Sequence, residues 1–466
     1  MVRRREKKTK IICTIGPATM NLKILKKLYD AGMDAVRINI AHGDFEQYKE
    51  IIRLTRDVGE IPIIMDIKGP NIRTTNKAPI TAKIGDVIVA GFANEDLTFS
   101  YNFYDEMNPG DKVLIDNGEV ITKVKKKENS KLYLLVEDEG VIQINKGVNL
   151  PNKRLVNIPQ LSEKDLEAIE FSKENDVEFI ALSFTRDVND VKNLRSKIGS
   201  GSQAIIAKIE NHEGVKDIDA ILDESDSIMV ARGDMGVEIE YEKVPLIQKE
   251  IIRKCNQQGK IVITATQMLE SMVNSPIPTR AEASDVANAI LDGSDAVMLS
   301  EETSIGKYPV ECVEMMSKIA KEAERMLTGK ITMDGFVNVS QTVSKSINLI
   351  SSSMPLDKIV TLTRSGYTAR MISRFRLKQP IIAVTDNEMV KRQLELVYGV
   401  KPVYIRYREA GDIIRNAAEI LKQKEYIEEK DFVLFTAGIR TGQTHESNLI
   451  EIHRISDLLG VSKKPQ

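Results

Sequence analysis

The sequence predicts an α/β protein: a (β/α)8, or TIM, barrel with a small all-β lid domain inserted into it and a C-terminal α/β domain. Three observations indicate this arrangement. Short apolar runs rich in β-branched residues alternate with amphipathic helical stretches, one loop of the series shows only strand-like pieces, and a second alternating series follows. Eight regular repeats close naturally into a barrel, with a doubly wound open sheet as the alternative.

The first series contains eight predicted strands, and helical stretches follow all but one of them directly. The strands are Ile11–Ile15, Ala35–Ile38, Pro62–Ile67, Phe179–Ser183, Ala204–Ile209, Ile228–Ala231, Ile261–Ala265 and Ala296–Leu299. The helices are Leu22–Ala31, Phe45–Val58, Glu163–Lys173, Val188–Lys197, Val215–Leu222, Val244–Gln257, Thr279–Leu291 and Pro309–Met326. The barrel is expected to occupy residues 1–70 and 158–329.

The third strand lacks a helix directly after it. Residues 71–157 instead combine turn sequences such as Asn108-Pro109-Gly110 with short strand-like pieces. The pieces are Asp86–Ala90, Lys112–Ile115 and Lys131–Val136. We assign this segment to an inserted all-β domain on the face where barrel active sites lie, so its expected role is that of a lid.

The last segment, residues 330–466, repeats the alternation of strands and helices on a smaller scale. Its predicted strands are Ile359–Thr363, Ile381–Thr385, Pro402–Ile405, Phe432–Thr436 and Asn448–His453. This pattern indicates a separate C-terminal α/β domain.

Composition limits the functions that the chain can have. Its 466 residues include 66 Lys and Arg against 68 Asp and Glu, a net charge of −2, which argues against nucleic acid or an anionic membrane as the main partner. The basic N-terminus is better explained as a solvated tail. No apolar run reaches the roughly 18 residues of a spanning helix. Three dispersed cysteines predict neither a disulfide framework nor a zinc site, and a cytoplasmic protein fits best.

Charged and polar residues follow the predicted strands at their carboxyl ends, where barrel enzymes carry their function. Solvated loop charges would explain any one of these residues, but they do not explain most of them together. The residues are Arg37 and Asn39, Asp66 and Lys68, Ser183, Lys208 and Glu210, Arg232 and Asp234, Thr266, and Ser300 with Glu301.

Glu210 and Asp234 end adjacent predicted strands and offer two carboxylates with no histidine or cysteine nearby. This donor set suits Mg2+ or Mn2+ and is poor for zinc. Lys208 lies two positions before Glu210, so both side chains leave an extended strand on the same side. Together with Arg37, they could hold a phosphoryl group and neutralise its charge during transfer. The alternative is a buried Lys–Glu pair without chemistry.

Arg232-Gly233-Asp234-Met235-Gly236 is predicted to be a glycine-rich turn at a strand end. Its amides could hold an anion such as a substrate carboxylate. A tight turn needs glycine for backbone reasons as well, so the motif gains weight only beside Thr266 and the two carboxylates.

At this point the sequence resembles a known family, the pyruvate kinases. The resemblance covers the barrel and insert in order and the C-terminal domain more loosely. The blocks that carry it are Lys8-Thr-Lys-Ile-Ile-Cys-Thr-Ile-Gly-Pro-Ala-Thr19, Met65-Asp-Ile-Lys-Gly-Pro70, Ile206-Ala-Lys-Ile-Glu-Asn-His-Glu-Gly214, Met229-Val-Ala-Arg-Gly-Asp-Met-Gly236, Thr266-Gln-Met-Leu-Glu-Ser-Met272 and Pro278-Thr-Arg-Ala-Glu282. It implies phosphoryl transfer from phosphoenolpyruvate to ADP, giving pyruvate and ATP.

The resemblance also implies roles for individual residues. Lys208 and Arg37 would contact the phosphoryl group, and Glu210 and Asp234 would bind Mg2+ or Mn2+. Gly233, Asp234 and Thr266 would hold the substrate carboxylate, while Thr266, with Ser300 ordering water, would be where a proton reaches the enolate. Nucleotide contacts would come from Asn39, His42, Arg73 and Lys146, although His42 could equally be an ordinary loop histidine.

The sequence departs from the family at its monovalent-cation site. Asn39, Asp66 and the carbonyl of Ile67 can still supply oxygens, but Ala41 stands where the family has a serine hydroxyl. Asn71 stands where potassium-requiring members have glutamate and potassium-independent members have lysine. A weakened site and little or no need for K+ are therefore expected.

A hydroxyl-rich loop in the C-terminal domain resembles the family's phospho-effector loop. It comprises Thr363, Arg364, Ser365, Gly366 and Thr368. The later loop Ala437–Thr444 differs from the version that closes over a sugar bisphosphate in regulated members, so an ordinary strand-to-helix turn stays open as the alternative. The resemblance further implies a homotetramer.

Two other functions compete with the kinase. A phosphometabolite sensor on the same fold would have lost some of Lys208, Glu210 and Asp234, yet all three are present. A metal-dependent aldolase or lyase acting on pyruvate enolate would need neither Arg73 nor the lid.

Overall fold

The computed structural model of the chain describes residues 7–69, 72–116, 118–151, 153, 158–327, 338–406, 412–438 and 447–460. Within these residues the strands form a closed parallel barrel, an inserted β domain and a C-terminal five-stranded sheet. This architecture confirms the predicted fold class, and the closure of the barrel shows that the open-sheet alternative is wrong. The predicted domain boundaries near residues 70, 157 and 329 lie outside the described residues.

The barrel begins with two strand–helix units and a third strand. These are β1 (Lys10–Thr14), α1 (Leu22–Ala31), β2 (Ala35–Asn39), α2 (Phe45–Val58) and β3 (Ile63–Ile67). The Asn21 and Asp44 side chains accept hydrogen bonds from the first turns of α1 and α2, so each helix begins at a capping residue. The predicted bounds of both helices are confirmed.

The inserted domain is built from short, mainly antiparallel strands. They are β4 (Ile72–Arg73), β5 (Ile80–Ala82), β6 (Val87–Gly91), β7 (Leu97–Thr98), β8 (Lys112–Ile115), β9 (Val120–Glu128), β10 (Lys131–Val136), β11 (Gly140–Ile142) and β12 (Gly147–Asn149). Strand β9 was not predicted, because its lysines obscure the alternation. Val120, Thr122 and Val124 point inward and are buried while the intervening side chains face out.

The chain then returns to complete the barrel. The elements are α3 (Glu163–Glu174), β13 (Phe179–Leu182), α4 (Val188–Ile198), β14 (Ala204–Ile209), α5 (His212–Lys216), α6 (Ile218–Glu224), β15 (Ser227–Ala231), α7 (Arg232–Glu238), α8 (Val244–Gln258), β16 (Ile261–Ala265), a 3-10 helix (Glu270–Val273), α9 (Arg280–Asp292), β17 (Ala296–Leu299), α10 (Glu301–Ser304) and α11 (Pro309–Glu324). The barrel order is β1-β17-β16-β15-β14-β13-β3-β2, and each neighbouring pair is parallel.

Two predictions for this segment need correction. The single helix expected at Val215–Leu222 is two helices that meet at Asp217, whose carboxylate accepts a hydrogen bond from the Val188 amide at 2.8 Å. The motif expected to be a glycine-rich turn, Arg232–Gly236, is instead part of helix α7. Gly233 permits close packing against Thr266 at the end of the next strand, and Gly236 permits close packing against Tyr241, so these glycines do not mark a turn.

The barrel strands are buried on both faces, which explains their near-continuous apolar sequence. Successive side chains point alternately into the barrel and out toward the helices, and they divide into two buried apolar clusters. The outer cluster includes Ile11, Cys13 and Val36 and packs under the helices. The inner one includes Ile12 and Ile206. A polar side chain at a strand end therefore points toward the barrel axis when it lies an even number of positions after a residue of the inner cluster.

The C-terminal domain comprises α12 (Val339–Ser353), β18 (Lys358–Leu362), α13 (Tyr367–Ser373), β19 (Ile381–Thr385), α14 (Glu388–Leu394), β20 (Val400–Tyr404), α15 (Ile413–Gln423), β21 (Phe432–Ala437), β22 (Leu449–Arg454) and α16 (Ile455–Leu458). The sheet order is β20-β19-β18-β21-β22, with β22 antiparallel. The inner barrel cluster continues into this domain through Ile372, Phe375 and Val397. In the described residues, no helix is both long and apolar enough to cross a membrane.

Candidate active site

The carboxyl ends of the barrel strands bring a set of charged side chains together near the axis. Each stands two positions after an apolar residue of the inner cluster, so strand alternation directs it inward. They are Arg37 after Ala35 on β2, Asp66 after Ile64 on β3, and Lys208 after Ile206 on β14. All three are largely buried.

Asp66 joins the two cations. Its Oδ2 accepts a hydrogen bond from Arg37 Nε at 2.7 Å, and its Oδ1 accepts one from Lys208 Nζ at 3.2 Å. Ser183 Oγ also donates to Oδ1, at 3.1 Å. Burial alone would raise the pKa of Asp66, but the charges and hydrogen bonds of Lys208 and Arg37 outweigh it and hold the pKa below its ordinary value. Asp66 is therefore a fixed anion that orients both cations.

Lys208 is held as a charged group inside the protein. Its Nζ donates to Ser183 Oγ at 2.7 Å and lies 2.9 Å from Glu210 Oε1. Burial lowers its pKa, but Asp66 and Glu210 raise it further, so the net pKa lies above its ordinary value. The ammonium group is thus protonated and positioned before any substrate arrives.

Glu210 has the chemistry of an incomplete metal site. Burial and the nearby charge of Asp234 raise its pKa to about 7, although Lys208 and a 2.6 Å hydrogen bond from the Phe184 amide to Oε2 act in the opposite direction. Its Oε1 is buried and accepts no hydrogen bond from the described residues. The Lys208 ammonium lies 2.9 Å from this oxygen and offsets one of the two carboxylate charges, so a divalent cation that bound both carboxylates would offset the other.

Glu210 and Asp234 are two carboxylates and fall short of a complete set of protein ligands. No group of three or more His, Cys, Asp or Glu positioned to hold a metal occurs among them. Such a site suits Mg2+ or Mn2+, which commonly retain water and substrate oxygens in their coordination shell.

Thr266 is held in a strained conformation at the end of β16. It has φ +67°, and Gln267 after it has φ +53°, values that a β-branched residue rarely adopts. Arg232 maintains this bend by donating to the carbonyls of Thr266 and Gln267 at 2.8 and 2.9 Å. The Gly233 amide donates to Thr266 Oγ1 at 2.7 Å. A side chain at Gly233 would lie 3.3 Å from that hydroxyl oxygen, so glycine permits the close approach.

Ser300 follows β17 and presents an unused hydroxyl. Its Oγ is buried and has no hydrogen-bond partner in the described part of the chain, while its amide donates to Glu302 Oε2 at 2.7 Å. Burial raises the pKa of Glu302, which also accepts a hydrogen bond from the Leu269 amide at 3.1 Å. The Ser300 backbone is thus fixed, while its hydroxyl is free to bind water or substrate.

The expected nucleotide residues lie on two separate parts of the fold. On the barrel, Asn39 Oδ1 accepts from the Ala41 amide at 3.1 Å, and His42 is exposed in the same loop. On the insert, Arg73 and Lys146 adjoin the β4–β12 pair. Arg73 donates to the Asn145 carbonyl at 2.7 Å but keeps a buried Nε without a partner.

Sequence reasoning missed several residues that complete the site. Thr14 Oγ1 accepts a hydrogen bond from Arg37 at 3.1 Å, and Ser183 bridges Lys208 to Asp66. The sequence identified Ser183 as a polar residue at a strand end but gave it no role. For Thr14, the position at the end of a strand was the only signal in the sequence. Asn149 of the inserted domain donates to Glu238 of the barrel at 2.8 Å, and no sequence motif predicted this contact.

The hydroxyls of the C-terminal loop are already engaged within the protein. Thr363 Oγ1 accepts from the Gly366 amide at 3.0 Å, and Thr368 Oγ1 lies 2.5 Å from Ser447 Oγ. Arg364 and Ser365 are exposed. Residues 439–446 of the second expected loop, and Asn71 of the expected cation site, lie outside the described residues.

Comparison with known proteins decides the family. The family model described as "Pyruvate kinase, barrel domain" matches residues 6–313, and that for its alpha/beta domain matches residues 341–453. This chain belongs to the pyruvate kinase family. The pyruvate kinase of Geobacillus stearothermophilus is 42% identical over 98% of this chain and 83% of its own, and that of Sporosarcina psychrophila is 40% identical over 97% and 81%.

A solved structure agrees with this assignment. A pyruvate kinase from Cryptosporidium parvum superposes with a TM-score of 0.90 at 36% identity, covering 96% of each chain. As a pyruvate kinase, the chain is a glycolytic phosphotransferase that moves the phosphoryl group of phosphoenolpyruvate to ADP, and its reaction requires a divalent metal ion.

Proposed function

We propose that the reaction is carried out at the cluster of Arg37, Asp66, Lys208, Glu210 and Asp234. The observation that carries this proposal is the buried ammonium of Lys208. It lies 3.2 Å from Asp66 Oδ1, 2.7 Å from Ser183 Oγ and 2.9 Å from Glu210 Oε1. A fixed positive charge in a buried site stabilises the negative charge that spreads over a transferring phosphoryl group.

Arg37 completes the phosphoryl subsite. Its Nε donates to Asp66 and one terminal nitrogen donates to Thr14, so two hydrogen bonds hold the guanidinium in place. The planar group retains further N–H donors for phosphoryl oxygens. Because its orientation is set in advance, little side-chain entropy is lost when the substrate binds.

Glu210 and Asp234 are the residues that would hold the divalent cation, which we assign as Mg2+ or Mn2+. The cation supplies positive charge that neutralises phosphoryl oxygens and orients the substrate. Burial, together with the charge of Asp234, raises the pKa of Glu210, so a cation bound there would stabilise the ionised carboxylates. The same two residues thus account for the metal requirement and for the choice of hard cations.

Gly233, Asp234 and Thr266 would bind the carboxylate end of the substrate. After the phosphoryl group leaves, an enolate remains and must be protonated at carbon. Thr266 Oγ1 sits in a rigid bend and Ser300 has a free hydroxyl, so these two groups would position the proton donor or an ordered water. Asn39, His42, Arg73 and Lys146 would contact ADP across the gap between the barrel and the lid.

A coupled assay tests the reaction assignment. Purified protein is given phosphoenolpyruvate and ADP, and pyruvate is followed through lactate dehydrogenase. Activity is expected with Mg2+ or Mn2+ and should vanish on exhaustive chelation. Activity that survives chelation would overturn the assignment of Glu210 and Asp234, whereas pyruvate formed without ADP would favour a lyase.

K+ should contribute little to this enzyme. Ala41 has no side-chain oxygen, and both oxygens of Asp66 already accept hydrogen bonds from Arg37, Lys208 and Ser183. Asn39 Oδ1 and the Ile67 carbonyl each accept one hydrogen bond as well, so Asn39, Asp66 and Ile67 together offer the ion a weakened set of oxygens. A KCl titration at constant ionic strength, with a tetraalkylammonium salt replacing K+ and Na+, should be flat. A steep rise from near-zero activity would contradict this.

Three further properties are proposed from the family relationship. The chain forms a homotetramer in the cytoplasm, and light scattering that reports a monomer would refute the assembly. The loop Thr363–Thr368 would bind a phosphorylated effector. The exposed Arg364 supports this role, although the internal hydrogen bonds of Thr363 and Thr368 mean that those hydroxyls must rearrange to take part.

A further inference from the structure

A second cluster of cations lines a cleft between the barrel and the C-terminal domain, at the end of the barrel opposite the active site. The cleft is narrow and opens to solvent. The barrel contributes Lys260, from the link between α8 and β16, and Asp295 before β17. The C-terminal domain contributes Arg370, Arg374 and Arg376 from α13 and the residues after it.

One of these cations has a carboxylate partner of its own. Arg376 pairs with Asp295 Oδ1 at 3.0 Å and donates to Asn256 Oδ1 at 2.9 Å. Asp295 is itself satisfied, since it also accepts hydrogen bonds from the Val262 and Tyr398 amides at 3.1 and 3.2 Å. This ion pair fastens the two domains together and leaves no carboxylate for the remaining cations.

The other three cations donate only to backbone carbonyls. The contacts are Lys260 Nζ to Ser225 at 2.7 Å, Arg370 to Ser365 at 3.2 Å and Arg374 to Gln257 at 2.7 Å. The described residues place no carboxylate within 4 Å of any of them. Asp226 is the carboxylate with the largest influence on Lys260 and Arg370, but it is paired with Arg195 at 2.9 Å.

Burial of these groups adds to the lack of a carboxylate partner, most clearly at Arg374. Arg374 is only 3% exposed, yet its Nε has no hydrogen-bond partner. Burial lowers the pKa of Lys260, Arg370 and Arg374, in contrast to Lys208, whose acidic neighbours raise its pKa. Buried cations without counterions are costly, so a bound anion would relieve that cost.

We propose that this cleft is a binding site for a phosphate-sized oxyanion, held between Lys260 of the barrel and Arg370 and Arg374 of the C-terminal domain. Arginine binds tetrahedral oxyanions through paired N–H donors, and lysine adds a point charge. Because the cleft opens to solvent, inorganic phosphate or the phosphoryl end of a small metabolite can reach these side chains. The site adjoins the loop Thr363–Thr368 at Arg370, whereas Lys260 and Arg374 donate to Ser225 and Gln257 outside that loop.

The position of the cleft links it to catalysis. Lys260 directly precedes β16, whose opposite end leads into Thr266, and Asp295 directly precedes β17, which leads to Ser300. The inner apolar cluster runs without a break from these strands into the C-terminal domain. An anion that joins the domains here would restrain the strands that carry both active-site hydroxyls.

Isothermal titration calorimetry of the full chain with inorganic phosphate tests the proposal. A second titration with phenyl phosphate tests whether a phosphomonoester binds as well. A Lys260→Met variant should weaken the binding at least tenfold, and Arg370→Met should do the same. Arg253→Met, on the exposed face of α8 where Arg253 pairs with Glu250, is the matched control and should bind as the wild type does. Lys260→Met decides the question, since Lys260 does not touch the effector-like loop.

Several results would overturn the proposal. Phosphate binding that survives Lys260→Met but is lost in Arg364→Met would place the anion in the loop Thr363–Thr368. Equal phosphate binding by all variants would show that the anion binds at the active site or elsewhere and does not bind in the cleft. If a variant is poorly folded by circular dichroism, Lys260→Arg, which keeps the charge, must restore binding; failure to do so refutes the site. Tighter binding of phenyl phosphate than of inorganic phosphate would show that the cleft prefers a phosphomonoester to free phosphate.

Discussion

Arg37 and Lys208, at the carboxyl end of the barrel strands, both lie against Asp66, whereas Lys260 and Arg370, at the opposite end, donate only to carbonyl oxygens. In the first region, the counter-charge keeps Lys208 protonated and fixed. In the second, burial outweighs the attraction of Asp226 and lowers the pKa of both cations. Paired cations are organised before the substrate binds, while unpaired ones are stabilised only when an anion arrives.

The largest expected effect is the loss of the paired ammonium. Lys208→Met keeps the length of the side chain but removes its charge, so kcat should fall by roughly a thousandfold if the charge stabilises the transition state. Steady-state kinetics measures this, and the exposed Lys192→Met is the control. A loss of less than about tenfold would make Lys208 a structural residue.

Asp66→Asn tests whether pairing is what organises that region. Removing one partner of a buried pair leaves Arg37 and Lys208 without their counter-charge, so we expect kcat to fall by about a hundredfold and the melting temperature to drop. The control is Asp219→Asn, whose carboxylate pairs with Lys254 at the surface. Wild-type kinetics in Asp66→Asn would show that the phosphoryl subsite does not depend on this carboxylate.

The titration of Glu210 should make metal binding at the carboxyl end of the barrel depend on pH. With its pKa raised to about 7 in the metal-free protein, Glu210 must release a proton before it binds a cation. Mn2+ affinity, measured by electron paramagnetic resonance, should therefore fall about tenfold per pH unit below pH 7 and level off above it. Glu210→Gln should bind weakly with no such slope, and a pH-independent wild type would contradict the assignment.

The same shift has a consequence for stability. Between pH 4.5, the ordinary value, and about 7, folded Glu210 holds a proton that the unfolded chain has released. The contribution of Glu210 to the free energy of unfolding is thus present at low pH and is lost as the pH rises through about 7. Asp66, with its lowered pKa, contributes in the opposite sense, and its stabilisation is lost in acid.

The smallest effect is expected in the unpaired region. Arg370→Met removes a half-buried cation with no carboxylate partner, so the free energy of unfolding without phosphate should change by less than about 1 kcal/mol. Denaturant unfolding of both proteins measures this. Destabilisation as large as that of Asp66→Asn would mean that the cleft cations are as well compensated as the catalytic ones.

Much of the fold was predictable because it depends on local patterns. Strands such as Ala204–Ile209 and Ile261–Ala265 match their predicted bounds, since strands buried on both faces are continuous apolar runs. Strand Val120–Glu128 was missed because half of it faces solvent and carries lysines. The segment from Val215 to Leu222 was misread as one helix because the interruption depends on Asp217 reaching the Val188 amide, a contact distant in sequence.

For the site, the sequence by itself determined which groups stand at the strand ends: the order of Lys208 and Glu210, the position of Arg37 and the family resemblance all follow from residue types at fixed spacings. Only the tertiary structure decided that Asp66 joins Arg37 to Lys208 and that the cleft cations face no carboxylate. Alternation and capping act over a few residues and leave a trace in sequence. Charge balance depends on distances of a few ångströms between residues that are brought together by barrel closure and domain packing. Local spacing in the sequence does not encode those distances.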